Sequence, residues 1–232
     1  MKVIGVGNTG STLAYRMDKK AILFSTALQD TSNFPDADNI FTMSEGGASK
    51  RFRQGEAIWK ENEERLTDIL SVLEGENVVV FSSLGGGSGS SSLQFMSKIL
   101  TEKNCKVLII GVLPFKKEIN PPLANSVLAI SSLMPYISKV SVMLFDNTTL
   151  VKQFKNNWVE INEYIIHKVD RLVNILQKYT INKYSPLTLD QSELESVVFG
   201  GGFVDLSTSF IEETTPKFEY GTLDKKTKNC MI

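Results

Sequence analysis

Two stretches of the sequence combine glycine with small hydroxyl residues, a composition suited to backbone that wraps around phosphate. The first is Gly5-Val6-Gly7-Asn8-Thr9-Gly10, and the second runs from Ser82 to Ser92 with glycine at positions 85, 86, 87 and 89. Glycine leaves no Cβ between backbone N–H groups and a phosphate oxygen, and it tolerates positive φ. Each stretch lies between a predicted buried strand and a predicted helix, so N–H groups at two helix N-termini are available to an anion. In the second stretch, the hydroxyls of Ser88, Ser90 and Ser91 are expected to point at the same oxygens.

The first stretch taken alone predicts a dinucleotide site, because it matches the spacing G-x-G-x-x-G after a strand. That interpretation also needs an acid at the end of the second strand to hold the ribose hydroxyls. Here the second strand ends near Thr26, and Asp30 lies four residues further on. Neither stretch contains the lysine of a P-loop, so a P-loop NTPase is excluded. Two phosphate loops in one domain favour a triphosphate held between two helix ends, with a nicotinamide or flavin oxidoreductase using Gly5, Gly7 and Gly10 as the alternative.

Strands and helices alternate along the chain around these stretches. Strands are predicted at Lys2–Val6, Ala21–Thr26, Asn77–Leu84, Lys106–Leu113, Lys139–Phe145 and Phe203–Phe210. Helices are predicted at Ser11–Asp18, Gln54–Leu73, Leu93–Leu100, Leu123–Ile137 and Asn157–Lys178, and the residues between Thr31 and Ser49 read mainly as loop. This alternation predicts an α/β fold, a Rossmann-like parallel sheet with helices on both faces.

Bulk composition narrows the classes of partner. The 25 Lys and Arg residues nearly balance 26 Asp and Glu residues, so nothing favours nucleic acid or an anionic membrane. Two cysteines, Cys105 and Cys230, make neither a disulfide framework nor a cysteine metal site, which indicates a reducing cytoplasm. The longest strongly apolar run, Val107 to Phe115, is far shorter than the ~20 residues needed to span a bilayer.

The second stretch resembles the signature of the tubulin/FtsZ superfamily, GGGTGTG or GGGTGSG, which here stands as Gly85-Gly86-Gly87-Ser88-Gly89-Ser90-Ser91. The N-terminal Val3-Ile4-Gly5-Val6-Gly7 is similar to the FtsZ opening VIGVGGGG. Ser88 keeps the hydroxyl of the threonine, and Ser91 replaces a final glycine. Further matches follow in the family's order, so the resemblance extends from about residue 2 to about residue 200.

These further matches imply roles for individual loops. Phe24 to Ala27 corresponds to the second nucleotide loop, and Glu45 to Ser49 resembles the loop that senses the γ-phosphate. Pro114 to Glu118 resembles PFxFEG, whose glutamate lies near the ribose. Asp146-Asn147 falls at the loop that carries a guanine-reading asparagine, with either residue open for that role, and Asn162 corresponds to the asparagine that meets the guanine ring. The implied nucleotide-binding residues are Gly7, Asn8, Thr9, Gly10, Ser25, Thr26, Gly46, Gly47, Ala48, Ser49, Gly85, Gly86, Gly87, Ser88, Gly89, Ser90, Pro114, Glu118, Asp146, Asn147 and Asn162.

The segment from Thr188 to Glu193 resembles NxDxxD, the loop that completes the active site of the neighbouring subunit, so the resemblance implies that Asp190 and Glu193 are catalytic. The same D-x-x-E spacing is also that of a helix capping box, and both roles are compatible. The resemblance implies GTP and GDP as ligands and Mg²⁺ as cofactor, with no residue assigned to bind metal directly.

The resemblance implies a cytoplasmic GTPase that polymerises head to tail, closer to a phage or plasmid tubulin than to a division FtsZ. Its partner is a second copy in a longitudinal homopolymer, without direct nucleic-acid binding or membrane insertion, and an adaptor protein is compatible with it. The expected organisation is a GTP-binding domain over residues 1–183, including the long helix, and a reduced C-terminal region with a polar tail over 184–232. A nucleotide-binding assembly partner without turnover is the non-enzymatic alternative.

Overall fold

A parallel sheet of seven strands forms the centre of the computed structural model, which describes residues 1–118, 120–178 and 191–205. The strands are β1 (Lys2–Val6), β2 (Ile22–Ser25), β3 (Ile40–Thr42), β4 (Asn77–Ser83), β5 (Lys106–Leu113), β6 (Val140–Asp146) and β7 (Gly202–Phe203). Their order in the sheet is β3-β2-β1-β4-β5-β6-β7. Because every pairing is parallel, all strands end at one edge, here called the carboxyl edge.

Nine helices surround the sheet within the described residues. They are α1 (Gly7–Met17), α2 (Leu28–Thr31), α3 (Phe52–Glu61), α4 (Glu63–Leu70), α5 (Gly87–Glu102), α6 (Pro122–Leu133), α7 (Asn147–Gln153), α8 (Trp158–Lys178) and α9 (Gln191–Phe199). Short 3₁₀ turns at Ser71–Leu73 and Met134–Tyr136 extend α4 and α6.

The two faces of the sheet carry separate apolar cores, because alternate strand residues point to opposite faces. On one face, Leu13 of α1 and Ile165 of α8 pack with Val79 and Phe81 of β4. On the other face, Trp59 of α3 and Met96 of α5 pack with Val80 and other strand residues. The strands are therefore almost wholly apolar, as expected of a parallel sheet covered on both sides, and the predicted α/β fold class is confirmed.

The predicted helix Gln54–Leu73 is wrong in one respect, since the chain forms α3 and α4 with a break at Asn62. Asn62 has φ −104° and ψ 15°, outside the helical range. Its side-chain Nδ2 donates to the carbonyl oxygens of Met43 at 3.1 Å and Ile58 at 2.9 Å. These bonds tie the break to the loop that follows β3, a tertiary contact that helical periodicity does not reveal.

The start of α5 was also predicted incorrectly, because the serine-rich segment expected to be a loop is helix from Gly87 onward. Ser91 and Ser92 donate their hydroxyls to the carbonyl oxygens of Gly87 and Gly89 at 2.6 and 2.8 Å. Both side chains are fully buried. Small side chains that bond within their own helix allow neighbouring elements to approach it closely, so packing overrides the loop propensity of the segment.

The C-terminal predictions are only partly covered by the described residues. The strand expected at Phe203–Phe210 begins with β7, and residues 206–210 lie outside the described part. The described part also leaves out the predicted domain boundary at residue 183, the residues Asp190 and Cys230, and the predicted polar tail. Over residues 1–118, 120–178 and 191–205, no helix has both the length and the apolar character needed to cross a membrane.

Candidate functional site

The N-termini of α1 and α5 meet at the carboxyl edge of the sheet, between β1 and β4. Val6 and Ser82 are paired in the register of these two strands. A Cβ placed on Gly7 would lie 3.3 Å from the backbone nitrogen of Gly89. The two helices cover opposite faces of the sheet, so this is the point where the direction of the crossovers reverses. In open α/β sheets, ligands bind at such switch points.

Neither helix start is capped by a side chain of its own N-cap residue. The N-cap residues are Val6 for α1 and Gly86 for α5, and neither side chain contains an oxygen that could accept a hydrogen bond. The first N–H groups of both helices therefore need other partners, and the positive ends of both helix dipoles meet here. Among the described residues, no heavy atom lies within 4 Å of a Cβ placed on Gly86. The arrangement is suited to an anion with several oxygens.

The glycines of the triglycine turn differ in their surroundings. Gly86 adopts φ −80° and ψ 165°, an extended conformation open to any residue, so positive φ is not what requires glycine there. A Cβ on Gly85 would lie 2.9 Å from Pro114, and one on Gly87 would lie 2.7 Å from the Cβ of Ala48. Gly85 and Gly87 thus allow neighbouring loops to approach, while Gly86 borders open space.

The serine hydroxyls of α5 do not point where the sequence suggested. Ser90 donates to the carbonyl oxygen of Gly86, and Ser91 donates to that of Gly87. The hydroxyls of Ser88 and Thr26 share a hydrogen bond of 2.5 Å, which joins the start of α5 to the end of β2. Backbone N–H groups, rather than these hydroxyls, are therefore the donors that the start of α5 offers to a ligand.

In α1, Gly10 is buried against the carbonyl group of Phe81 in β4. A Cβ at this position would overlap the strand, so this glycine serves close packing between helix and sheet. Gly7 has φ +69° and forms the turn into the helix. Asn8 and Thr9 follow in the first turn, and Asn8 accepts a long contact of 3.5 Å from the side chain of Asn33.

Asp30, which the sequence places too far along the chain for the acid of a dinucleotide site, is engaged by the end of β2. Ser25, the last residue of β2, donates its hydroxyl to Asp30 at 2.6 Å and accepts from the backbone nitrogen of Ala27 at 3.1 Å. The first six strands have the order β3-β2-β1-β4-β5-β6, which is also that of dinucleotide-binding folds, so strand order does not exclude the dinucleotide alternative.

A strained loop, residues 44–50, covers the start of α5. Gly47 has φ +70°, and the non-glycine residues Ser49 and Lys50 have φ +46° and +56°. Ala27 forms an isolated β-bridge with Gly46, and Gln54 donates to the carbonyl oxygen of Gly47 at 3.0 Å. The structure thus brings Gly46 and Gly47 against the end of β2 and Ala48 against the start of α5, whereas Ser49 is exposed.

The ends of β5 and β6 complete the same edge. Glu118 accepts a hydrogen bond of 3.0 Å from the backbone nitrogen of Phe115, so its carboxylate folds back on its own turn. Lys116 donates its backbone N–H to Thr148 at 3.0 Å and ties this turn to α7.

Asp146 and Asn147, which the sequence left as alternatives, have different environments. Asp146 caps α7, accepting from the backbone nitrogen of Thr148 at 2.8 Å and from the hydroxyl of Thr149 at 2.9 Å. Asn147 has a buried Oδ1 with no hydrogen-bond partner among the described residues. A buried polar atom without a partner is rare and costs about 1–3 kcal/mol, so a ligand donor is a natural partner.

Asn162 is half-buried on α8, next to Ile161 of the apolar stripe. Its neighbour Glu163 accepts from Arg16 of α1 at 2.9 Å, so α8 lies alongside α1. Glu193 lies elsewhere, exposed on α9. Glu195 of the same helix accepts from Lys106, the first residue of β5, at 2.5 Å. That ion pair places α9 near the edge opposite the glycine turns, away from the other predicted residues.

A buried asparagine in α6, which the sequence analysis missed, links two loops of the site. The side chain of Asn125 is bonded to Lys50, Phe52 and Gly85. Trp59, fully buried in α3, donates its indole N–H to the carbonyl oxygen of Ser88 at 3.0 Å. The residue type of Asn125 within a helix was the available signal, since a buried polar side chain needs partners.

A cleft of about 510 Å³ lies on the outer side of α3 and α5, and the predicted site residues are absent from its lining. Ion pairs occupy it: Arg53 with Glu56 at 2.8 Å, and Lys98 with Glu63 at 2.8 Å. Burial acts to raise the pKa of Glu56, but hydrogen bonds from Arg53 and Gln94 outweigh it and hold the pKa below the ordinary value of 4.5. Because four of its five charged side chains are already paired, this cleft is a poor candidate for the phosphate site.

Over the described residues, no group of three or more His, Cys, Asp or Glu side chains is arranged to hold a metal ion. Cys105 donates its thiol to the carbonyl oxygen of Leu73 at 3.0 Å, and burial raises the pKa of that thiol.

Solved structures of other proteins share this fold. CetZ from Methanosaeta thermophila is 21% identical with a TM-score of 0.68, over 86% of this chain and 59% of that one. An FtsZ dimer from M. jannaschii is 21% identical with a TM-score of 0.69, over 87% of this chain and 61% of that one. TubZ of Bacillus thuringiensis, in a GTPγS-form protofilament, is 16% identical with a TM-score of 0.71, over 89% and 64%. The chain therefore spans about 60% of the length of the first two structures, and at these identities the likeness shows the fold.

No curated protein matches the sequence. A family model described as the GTPase domain of the Tubulin/FtsZ family matches residues 1–155, which include both glycine turns and the Asp146-Asn147 pair. That match covers 155 of the 232 residues. The chain belongs to the Tubulin/FtsZ family.

Proposed function

We propose that the protein binds GTP, with the phosphates held between the N-termini of α1 and α5, and hydrolyses it when assembled head to tail. The observation that carries the proposal is the meeting of the two uncapped helix starts, where a Cβ placed on Gly7 would lie 3.3 Å from the nitrogen of Gly89 and open space lies beside Gly86. Family membership supports GTP as the nucleotide. Mg²⁺ would enter with the triphosphate, since this ion commonly binds through substrate phosphates and water.

We assign base recognition to Asn147 rather than Asp146, with Asn162 as its partner. The Asp146 carboxylate is engaged at the start of α7, whereas the buried Oδ1 of Asn147 lacks a partner among the described residues. Guanine offers donors at N1 and N2, which suit an amide oxygen. Adenine presents an acceptor at N1, so it would leave Oδ1 unpaired there, at a cost of about 1–3 kcal/mol.

Assembly is proposed because Glu193, the one described residue of the two acids implied in catalysis, lies away from the glycine site of the same subunit. Glu193 lies on α9, whose Glu195 pairs with the first residue of β5, at the edge opposite the glycine turns. Head-to-tail stacking would bring that edge of one subunit to the glycine site of the next, and such contacts generate open filaments. In the complete site, Asp190 and Glu193 of a neighbour would orient the attacking water, which phosphoryl transfer needs. A cytoplasmic location remains a prediction.

The test is phosphate release per subunit against total protein concentration, with light scattering recorded alongside. The specific rate should rise steeply where scattering appears, and Glu193→Ala should bind GTP normally, assemble and hydrolyse slowly. A constant specific rate at concentrations where scattering is absent would contradict assembly-coupled hydrolysis. Binding of GTP with no phosphate release at any concentration would favour a non-hydrolysing assembly partner.

Nucleotide choice is tested by titrating GTP, ATP and NADH. Wild type should prefer GTP over ATP by about tenfold or more, since one unpaired buried group costs about 1–3 kcal/mol. Asn147→Ala and Asn162→Ala should reduce that preference, whereas Asp146→Ala should mainly lower stability through loss of a helix cap. Tighter binding of NADH than of GTP would support the dinucleotide alternative.

A further inference from the structure

Asn125 of α6 joins three segments that are distant in sequence. It is 3% exposed, and its Nδ2 donates to the carbonyl oxygens of Lys50 and Gly85, each at 2.9 Å. Its Oδ1 accepts from the backbone nitrogen of Phe52 at 3.2 Å. Only one orientation of the amide satisfies two carbonyl oxygens and one N–H group, so the hydrogen-bond network fixes that orientation.

The segments that Asn125 joins form two sides of the glycine site. Lys50 ends the strained loop of residues 44–50, Phe52 begins α3, and Gly85 begins the triglycine turn. Consecutive non-glycine residues at positive φ, Ser49 and Lys50, cost free energy and persist only where the surroundings fix them. The two bonds to Lys50 and Phe52 flank Arg51 and hold the end of this loop in place.

The loop held in this way packs directly on the start of α5. The Cβ of Ala48 would lie 2.7 Å from a Cβ on Gly87, and Arg51 nitrogen would lie 2.9 Å from the same point. A shift of the loop relative to Gly85 would therefore change how the loop packs on the first turn of α5, next to the open space beside Gly86. The resemblance of this loop to the loop that senses the γ-phosphate implies that a longer phosphate chain would meet it.

We infer that Asn125 is a positioning residue that sets the distance between the loop of residues 44–50 and the triglycine turn, and thereby the preference for a triphosphate over a diphosphate. The inference rests on the proposed function. The donors of α1 and α5 would hold the phosphates common to both nucleotides. If the loop meets the terminal phosphate, as the resemblance implies, loss of its anchor should weaken triphosphate binding more than diphosphate binding.

The principal experiment compares Asn125→Asp with wild type in titrations of GTPγS and GDP, both with Mg²⁺, on the full chain. Aspartate has nearly the same shape but cannot donate to Lys50 and Gly85, and its charge faces two carbonyl oxygens. We expect the ratio of GTPγS affinity to GDP affinity to fall by about tenfold, because the carboxylate cannot make the two hydrogen bonds that the amide donates. Asn125→Ser, which keeps a small neutral side chain, should shift the ratio in the same direction.

A matched control separates positioning from general destabilisation. Ser141 is fully buried in β6 and accepts from the backbone nitrogen of Gly201 at 3.1 Å, near the opposite edge. Ser141→Ala should lower stability but leave the affinity ratio unchanged. An equal loss of both affinities in Asn125→Asp, or an unchanged ratio, would overturn the inference.

Wild-type protein provides a second test that does not depend on a variant folding. Hydrogen exchange of the segment 44–52 should be slower with GTPγS than with GDP, while the control segment around Ser141 is unchanged. Equal protection in the two states would overturn the positioning role even if both nucleotides bind. Failure of wild type to bind either nucleotide would instead refute the proposed function.

Discussion

The starts of α1 and α5 have the same glycine-rich composition, yet they use glycine differently. At the start of α1, Gly5 of β1 packs against Ser11 and Ala14 of α1, and Gly10 of α1 packs against the backbone of β4. At the start of α5, apart from its chain neighbours, Gly86 has no heavy atom of the described residues within 4 Å of its Cβ position. Gly85, Gly87 and Gly89 pack closely against neighbouring groups, as Gly5 and Gly10 do, so Gly86 is the glycine of this turn that leaves space for something else.

This difference shows that a glycine spacing does not by itself identify a ligand contact. G-x-G-x-x-G combines glycines for a turn, for backbone approach to phosphate and for helix–sheet packing. The surroundings of each Cβ position separate these uses. Substitutions of Gly10 and Gly86 should therefore fail in different ways, the first in folding and the second in binding.

The largest effect is expected for Gly86→Val, which should reduce GTP affinity by roughly a hundredfold, or about 2.7 kcal/mol. Its isopropyl group would fill the space beside the two helix starts. Because Gly86 has φ −80°, valine adopts this backbone without strain, and the unfolding midpoint should stay near that of wild type. Isothermal titration with urea unfolding checks both, and wild-type affinity in this variant would show that the triglycine turn does not hold phosphate.

The reverse outcome is expected for Gly10→Ala in α1. The added methyl group overlaps the carbonyl group of Phe81, so helix and strand must separate, at a cost of about 1–3 kcal/mol in unfolding free energy. Gly86→Ala is the matched control, because its methyl group enters open space and should leave stability nearly unchanged. Equal stabilities of the two variants in urea would remove the contrast between the helix starts.

Ser91→Gly provides a sharper comparison within α5. Ser91 is fully buried, and its hydroxyl donates to Gly87 within the helix. Glycine should lower the unfolding free energy by about 1 kcal/mol, the usual cost within a helix, while GTP affinity changes little. A large loss of affinity at unchanged stability would mean that Ser91 contacts the ligand.

The smallest effect is expected for the pH dependence of stability, through the hydrogen bond that joins Glu56 of α3 to Gln94 of α5. Glu56 accepts from Gln94 of α5 at 2.9 Å, and its pKa in the folded protein lies below 4.5. Because the folded-state pKa is depressed, the stabilisation is present above the unfolded pKa and is lost as pH falls through the folded pKa. Glu56→Gln should be less stable than wild type by about 0.5 kcal/mol at neutral pH, with the difference vanishing in acid. A pH-independent difference in urea midpoints would contradict this assignment.

Much of the fold followed from patterns in the sequence. β1 and β5 have their predicted bounds, because a buried parallel strand is a continuous apolar run bounded by glycine, proline or polar residues. The long helix α8 begins within one residue of its prediction, since its apolar stripe repeats with helical spacing. The glycine and serine composition also marked the two turns that meet at the carboxyl edge.

The sequence by itself determined the element types, the α/β class and the region of the site, because these depend on local periodicity and on the φ freedom of glycine. Tertiary structure decided the break at Asn62, the helical state of the serine segment, the packing role of Gly10 and the different environments of Asp146 and Asn147. It also decided the importance of Asn125, whose three partners lie 40 to 75 residues away in sequence. The physical reason is common to all of these. A buried amide or hydroxyl needs hydrogen-bond partners, and the position where a glycine lacks its Cβ faces either another part of the backbone or open space. In both cases the neighbouring groups belong to segments that only folding brings together.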